Sequence, residues 1–137
     1  FRRVLFRSFD TDTFSWSLPS LEGRAPLARV GHSGNVVGST KIYYFGGYGV
    51  RIGYVNDTHI LDTALLSWSK PYINGTPPLS RIGHAGLVIG AKLYIIAGAS
   101  GGKVLDDMHV LDTTSMPVEK CVDAVIAMLE SKGFIEG

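Results

Sequence analysis

Apolar residues along this chain come in short runs that end at glycine. Val36-Val37 lies between Gly34 and Gly38, Lys41-Ile42-Tyr43-Tyr44-Phe45 stops at Gly46-Gly47, and Leu87-Val88-Ile89 stops at Gly90. Thr58-His59-Ile60-Leu61 and Ser67-Trp68-Ser69-Lys70 complete one set. Lys92-Leu93-Tyr94-Ile95-Ile96 and Met108-His109-Val110-Leu111 continue a second. Runs this short, rich in β-branched and aromatic residues and bounded by turn formers, read as strands, four to a set. After Ser115 the period changes. Val118, Cys121, Val122, Val125 and Leu129 form one apolar stripe at helical spacing, with Ser115 able to cap, Pro117 near the first turn and Lys132-Gly133 as a stop.

The strand sets repeat at a spacing of 52 residues. Phe9-Asp10-Thr11 returns as Leu61-Asp62-Thr63, Ser15-Trp16-Ser17 as Ser67-Trp68-Ser69, and Arg29, Gly31 and His32 as Arg81, Gly83 and His84. A third partial copy, Val110-Leu111-Asp112-Thr113, follows Ile60-Leu61-Asp62-Thr63 at 50. Self-similarity at this period marks stacked units, none of which buries its own apolar face alone. Four strands per unit describe one blade of a β-propeller.

Bulk properties narrow the function classes. A chain of 137 residues, 45% of them hydrophobic, is long enough for one ordinary domain. A net charge of +1 points to no nucleic-acid or membrane partner. The single cysteine, Cys121, excludes an intrachain disulfide and fits a reducing, cytoplasmic setting. The longest apolar candidate, Leu87 to Ala97, is interrupted by Lys92 and falls short of the ~18 residues of a membrane helix.

The repeat resembles the kelch motif. The marks are Arg29-Val30-Gly31-His32-Ser33, Tyr43-Tyr44-Phe45-Gly46-Gly47, Asn56-Asp57, Leu61-Asp62-Thr63 and Trp68. The second copy keeps Arg81, Gly83-His84-Ala85, Tyr94, Gly98, Asp107 and Leu111-Asp112-Thr113, with Ala97 replacing the first glycine of the pair. The resemblance spans residues 9–113. It implies an all-β fold, a partial kelch β-propeller of about two four-stranded blades, preceded by the last strand of another and followed by a C-terminal α-helix. In kelch proteins the glycine pair, the tyrosine and the tryptophan are structural. Gly46 and Gly47 are thus expected to permit close backbone approach, with Trp68 (and Trp16 by the repeat) as an apolar plate beside it.

Other motifs fall to structural readings. His32, His59, His84 and His109 occupy two repeat positions, so structural hydrogen bonding is expected of them and no metal site. Asp57 and Asp107 are expected to receive backbone N–H groups at the turn into a strand. Gly98-Ala99-Ser100-Gly101-Gly102 matches G-x-S-x-G, but a strand follows where a nucleophile elbow needs a helix, and residues 99–105 read as a turn. The copper oxidase that carries kelch blades is the family's enzyme precedent. The resemblance implies a cysteine within the propeller for it, and Cys121 lies in the tail. No catalytic residue and no cofactor are expected.

Both ends depart from the repeat. Residues 1–8 read as a non-native stub, and 114–137 as a helical tail, either native or joined from elsewhere. Residues 110–135 are similar to the C-terminal tail of adenylyl-sulfate kinases. That likeness implies an alternative, a truncated kinase tail fused to kelch repeats without activity of its own. The phosphate-cradling G-x-x-x-x-G-K-[ST] is missing, since Lys103 comes one position early and Val104 stands where a hydroxyl is needed.

Function is then expected in the loops. The connections Tyr48–Tyr54, 99–104, 72–76 and 18–25 are expected on one face, carrying Tyr48, Arg51, Tyr54, Tyr72, Asn74 and Lys103, residue types suited to binding a protein partner. About two blades leave sheet faces and edges uncovered, so the chain, read as a fragment of a longer propeller, is also expected to self-associate.

Overall fold

In the computed structural model, which describes residues 7–114, every regular element is a β-strand. The helix expected after Ser115 lies outside the described residues, as do residues 1–6 of the expected stub. Strands β1 (Ser8–Asp10) and β2 (Ser15–Ser17) form a hairpin. Next come β3 (Glu22–Gly23), β4 (Ser33–Val37), β5 (Lys41–Phe45), β8 (Thr58–Asp62) and β9 (Ser67–Ser69), one five-stranded sheet in the order β3-β9-β8-β5-β4. Between β5 and β8 lies a small hairpin, β6 (Tyr48–Gly49) and β7 (Gly53–Tyr54). Strands β10 (Ala85–Ile89), β11 (Lys92–Ser100) and β12 (Lys103–Asp112) form a three-stranded antiparallel sheet.

The 52-residue spacing is visible in the pairing register. Phe9 faces Trp16 and Asp10 faces Ser15, just as Leu61 faces Trp68 and Asp62 faces Ser67. The segment before the first full blade therefore contributes parts of two strands rather than the single one expected, and its pairing begins at Ser8. Leu-Asp-Thr recurs for a local reason. The Asp62 carboxylate accepts the Ala64 and Leu65 N–H groups at 3.0 Å, forming an Asx turn, and Asp10 does the same for Asp12 and Thr13. Thr63 then donates its N–H and hydroxyl to the Thr40 carbonyl, as Thr113 does to Ala91, tying two turns at the same end of each sheet.

Each sheet buries one face against the other. Tyr43, Phe45 and Ile60 from the first meet Leu93 and Ile95 from the second, with Val37, Val88 and Leu111 at the margin. Alternation along β5 and β8 sends Leu61 to the opposite face, where it is fully buried beside its cross-strand partner Trp68. Trp68 packs its ring on Tyr44 at 5.3 Å, so its aromatic partner is that tyrosine rather than the glycine pair. Gly23 crosses the backbone of Trp68 so closely that a Cβ there would stand 2.1 Å from the Trp68 carbonyl oxygen.

One loop expected from the sequence, residues 99–105, is largely strand. β11 and β12 run to a two-residue turn at Gly101-Gly102, both at positive φ, so Ala99, Ser100 and residues 103–105 belong to the ladder. Ser100 is thus a paired strand residue, which removes the G-x-S-x-G reading structurally as well. The register of this hairpin slips at Ala97, between Ile96 and Gly98, and Ala97 sits at φ 57°. A bulge residue in that region is normally glycine, as Gly46 is in the first blade at φ 66°. Relief of a left-handed alanine (~1–2 kcal/mol) outweighs the added backbone freedom of glycine (~0.5–1 kcal/mol). Ala97→Gly is therefore expected to stabilise the chain by about 0.5–1 kcal/mol in urea unfolding, and a loss of stability contradicts this strain.

Candidate functional site

Two buried arginines organise the end of each sheet from which the β5–β8 and β11–β12 connections leave. Arg81 is fully buried, at 0% exposure. Its guanidinium donates to the Leu79 carbonyl at 3.0 Å, the Ala97 carbonyl at 2.8 Å, and both carboxylate oxygens of Asp107 at 2.5 and 2.8 Å. Asp107 accepts a further bond from His109 Nε2 at 2.9 Å. The first repeat builds the same cluster. Arg29 donates to Leu27 and Gly46 carbonyls and to both Asp57 oxygens, and His59 Nε2 donates to Asp57 at 2.9 Å. The two aspartates thus accept from arginine and histidine side chains, which corrects the expected backbone N–H role. A planar five-donor fork suits one carboxylate plus two carbonyls where an ammonium would not.

The backbone joins this cluster to the neighbouring blade. Gly47 N–H donates to the Arg81 carbonyl at 2.8 Å, and Arg81 N–H donates to the Val55 carbonyl at 3.2 Å. A Cβ on Gly46 would lie 2.8 Å from that same Arg81 oxygen, so the glycine pair permits the approach of one blade to the next.

Burial sets the protonation states. Desolvation lowers the His59 imidazole below its ordinary 6.5 despite Asp57 beside it. Burial lowers His84 too, helped by the Arg81 and His32 charges, and burial with Arg29 lowers His32. His84 shares a 2.9 Å hydrogen bond with Ser33 across the blades, and His32 lies against the Tyr44 ring. Burial alone would raise Asp57, but hydrogen bonds and charge from Arg29 and His59 overcome it and bring the carboxyl down to about 2. The Arg81 guanidinium, with His109, holds Asp107 well below the usual carboxylate range. His59 Nδ1 is buried with no hydrogen-bond partner among the described residues, so no hydroxyl stands next to it to be activated.

The six expected binding residues divide into two groups. Tyr48, Arg51 and Tyr54 lie on the β6–β7 hairpin, where the Tyr48 and Tyr54 rings meet edge to face at 5.1 Å. The hairpin's feet are fixed by paired bonds between Val30 and Tyr48 and by Val55 N–H to the Gly47 carbonyl. Arg51 is exposed beside Val50, the tip residue, at 93% exposure. Lys103 follows the Gly101-Gly102 turn at the equivalent end of the second sheet. Tyr72 and Asn74 line a cavity of about 460 Å³ that runs along the last residues of β12, from His109 to Asp112, and is bounded by Phe45 and Thr58, the strand ends that flank the β6–β7 connection.

The repeat pattern and these paired clusters meet in one set of relatives. Residues 3–127 match the KLHDC2/KLHL20/DRC7 Kelch-repeats domain. The chain belongs to this kelch-repeat family. It is 37% identical over 109 residues to acyl-CoA-binding domain-containing protein 5 of Arabidopsis thaliana, covering 79% of this chain and 17% of that protein. It is 35% identical over 96 residues to the Rab9 effector protein with kelch motifs of Mus musculus, covering 69% and 25%. It is also 38% identical over 92 residues to kelch domain-containing protein 3 of Bos taurus, covering 66% and 24%. The chain spans a quarter or less of the length of these relatives. The matching family is one of repeats, with no catalytic family indicated.

The kelch clusters carry a pH signature. The native chain holds the buried His59 and His84 neutral, so below their ordinary 6.5 protons bind the unfolded chain first and stability falls. The urea midpoint is expected to drop between about pH 7.5 and about pH 5, with a further loss below about pH 4 as Asp57 titrates. A midpoint that holds or rises across the first interval contradicts burial of neutral imidazoles.

Proposed function

We propose that this chain is a protein-interaction module that meets a protein partner through the β6–β7 hairpin and the neighbouring β11–β12 turn. The observation that carries this reading is the Tyr48–Tyr54 ring pair, held on a hairpin whose two feet are hydrogen-bonded into the blades, with Arg51 at the tip. Two tyrosines and an arginine on a preorganised turn lose little conformational entropy on binding, and they are the residue types that dominate interface energetics. Lys103 adds a cation at the same end of the second blade.

The kelch relatives favour a protein-binding role. One of them is named as an effector of Rab9, a description that belongs to that protein. Among the described residues, no helix is long and apolar enough to cross a membrane. The kelch match runs on to residue 127, into the segment that resembles an adenylyl-sulfate kinase tail, and this favours the interaction module over the kinase-tail alternative. Self-association of the chain belongs to the same proposal.

The test is a triple substitution, Tyr48→Ala, Arg51→Ala and Tyr54→Ala, in the full chain. Partners captured by the unaltered chain and identified by mass spectrometry are expected to be lost, with affinity falling roughly 100-fold or more if two of the three are hot spots. Retention of those partners by a folded triple variant overturns the hairpin as the binding site.

A further inference from the structure

Charge is sorted along the sheets. At the end where Asp62 and Asp112 close their turns, each of these acids faces a lysine across the ladder, Lys41 and Lys92, and Glu22 pairs with Ser67 beside Asp62. At the opposite end the cluster acids are already committed. Asp57 is held by Arg29 and His59, and Asp107 by Arg81 and His109. Lys70 Nζ lies 3.7 Å from that same Asp57. The exposed acid of this region, Asp106, stands back from the turn along β12. Arg51 and Lys103 remain, both exposed and with no ion pair or side-chain hydrogen bond among the described residues.

These two cations occupy equivalent places. Tyr48 bridges Val30 at the foot of the β6–β7 hairpin, and Ala99 bridges Ile82 at the foot of the β11–β12 turn, so the two tips leave consecutive blades at the same end. Each tip sets a valine next to its cation. Val50 is 93% exposed beside Arg51, and Val104 is 86% exposed beside Lys103. One exposed valine calls for no explanation, but the same pair of side chains on both tips is a repeated surface feature. The first tip is also braced. Ile52 donates its N–H to the Gly49 carbonyl at 3.1 Å and lies so close over Gly49 that a Cβ there would stand 2.8 Å from it.

We infer that the partner meets these tips with an acidic segment, its carboxylates on Arg51 and Lys103 and an apolar side chain against Val50 and Val104. The inference rests on the partner-binding reading of the hairpin and adds the chemistry of what binds. Desolvating an unpaired cation is favourable only where the partner supplies the opposite charge, and the planar Arg51 fork suits a carboxylate. A nucleic-acid phosphate backbone would answer the cations and leave both valines in water, so a peptide with both kinds of side chain fits better.

A random-peptide phage library panned on the full chain tests this. The selected peptides are expected to be enriched in Asp and Glu next to an apolar residue. A selected peptide, made with a fluorescent label, is expected to lose affinity roughly 10-fold or more on the double reversal Arg51→Glu and Lys103→Glu. It is also expected to weaken as ionic strength rises from ~0.01 M to ~0.15 M, over which the screening length falls from ~30 Å to ~8 Å. Neither side chain has a partner within the described residues, so the double variant is expected to keep its urea midpoint. Peptides without acidic enrichment that the reversal spares but Tyr48→Ala with Tyr54→Ala abolishes overturn the acidic segment and leave the hairpin reading standing. Peptides spared by both sets of substitutions overturn both. A labelled single-stranded oligonucleotide that binds more tightly than any selected peptide, and is lost on charge reversal, overturns the inference in favour of nucleic acid. A library that yields no binding peptide overturns it as well.

Discussion

Arg81 is the residue on which the arrangement of the two blades depends. Its backbone belongs to the seam with the first blade, through Gly47 and Val55, while its side chain belongs to the second, through Ala97 and Asp107. A guanidinium with no exposure to water is tolerated only where its donors are met. Meeting them dictates much of the local structure. The carbonyl of the bulge residue must turn inward, which puts Ala97 in the left-handed region. The middle of β12 must present an aspartate, and the preceding blade must offer a glycine pair so that its backbone can reach the Arg81 carbonyl. Arg29 imposes the same demands one repeat earlier, with Asp57 and Gly46.

The candidate binding hairpin inherits its rigidity from that seam. Its first foot follows Gly46-Gly47 and its second runs into Val55, and both feet are bonded to Arg81 or to the segment around Val30. The tyrosine pair and Arg51 therefore stand on a support fixed by a buried ionic cluster rather than on a free loop. The opposite end of the sheets is held by weaker, local devices, the Asx turns of Asp62 and Asp112 and the threonine clips behind them. A blade built this way has a stiff end for presenting residues and an edge that depends on its outer strand.

Much of the fold was legible in the sequence. The spacing of 52, the glycine stops and the alternating apolar runs placed β4, β5, β8, β9 and β10 close to where they lie. The long β11–β12 hairpin was not, because Gly98-Ala99-Ser100-Gly101-Gly102 reads as turn from composition, while only its last two glycines bend the chain. The Arg–Asp–His clusters were missed for a different reason. Arg29 and Asp57 are 28 residues apart and Arg81 and Asp107 are 26 apart, and no local pattern joins residues at that distance. A usable signal was present in the repeat itself, since an arginine, an aspartate and a histidine two residues beyond it recur together.

The central claim is that the Arg81 seam makes two blades one cooperative unit. Native-state amide hydrogen exchange tests it most directly, read at the Gly47 and Arg81 N–H groups and at Tyr43, Ile60 and Ile95 in the ladders. The account predicts that the seam amides open with the same free energy as the ladders, through global unfolding. Seam amides that exchange at a much lower opening free energy while both ladders stay protected would contradict it, and would describe two blades that merely touch.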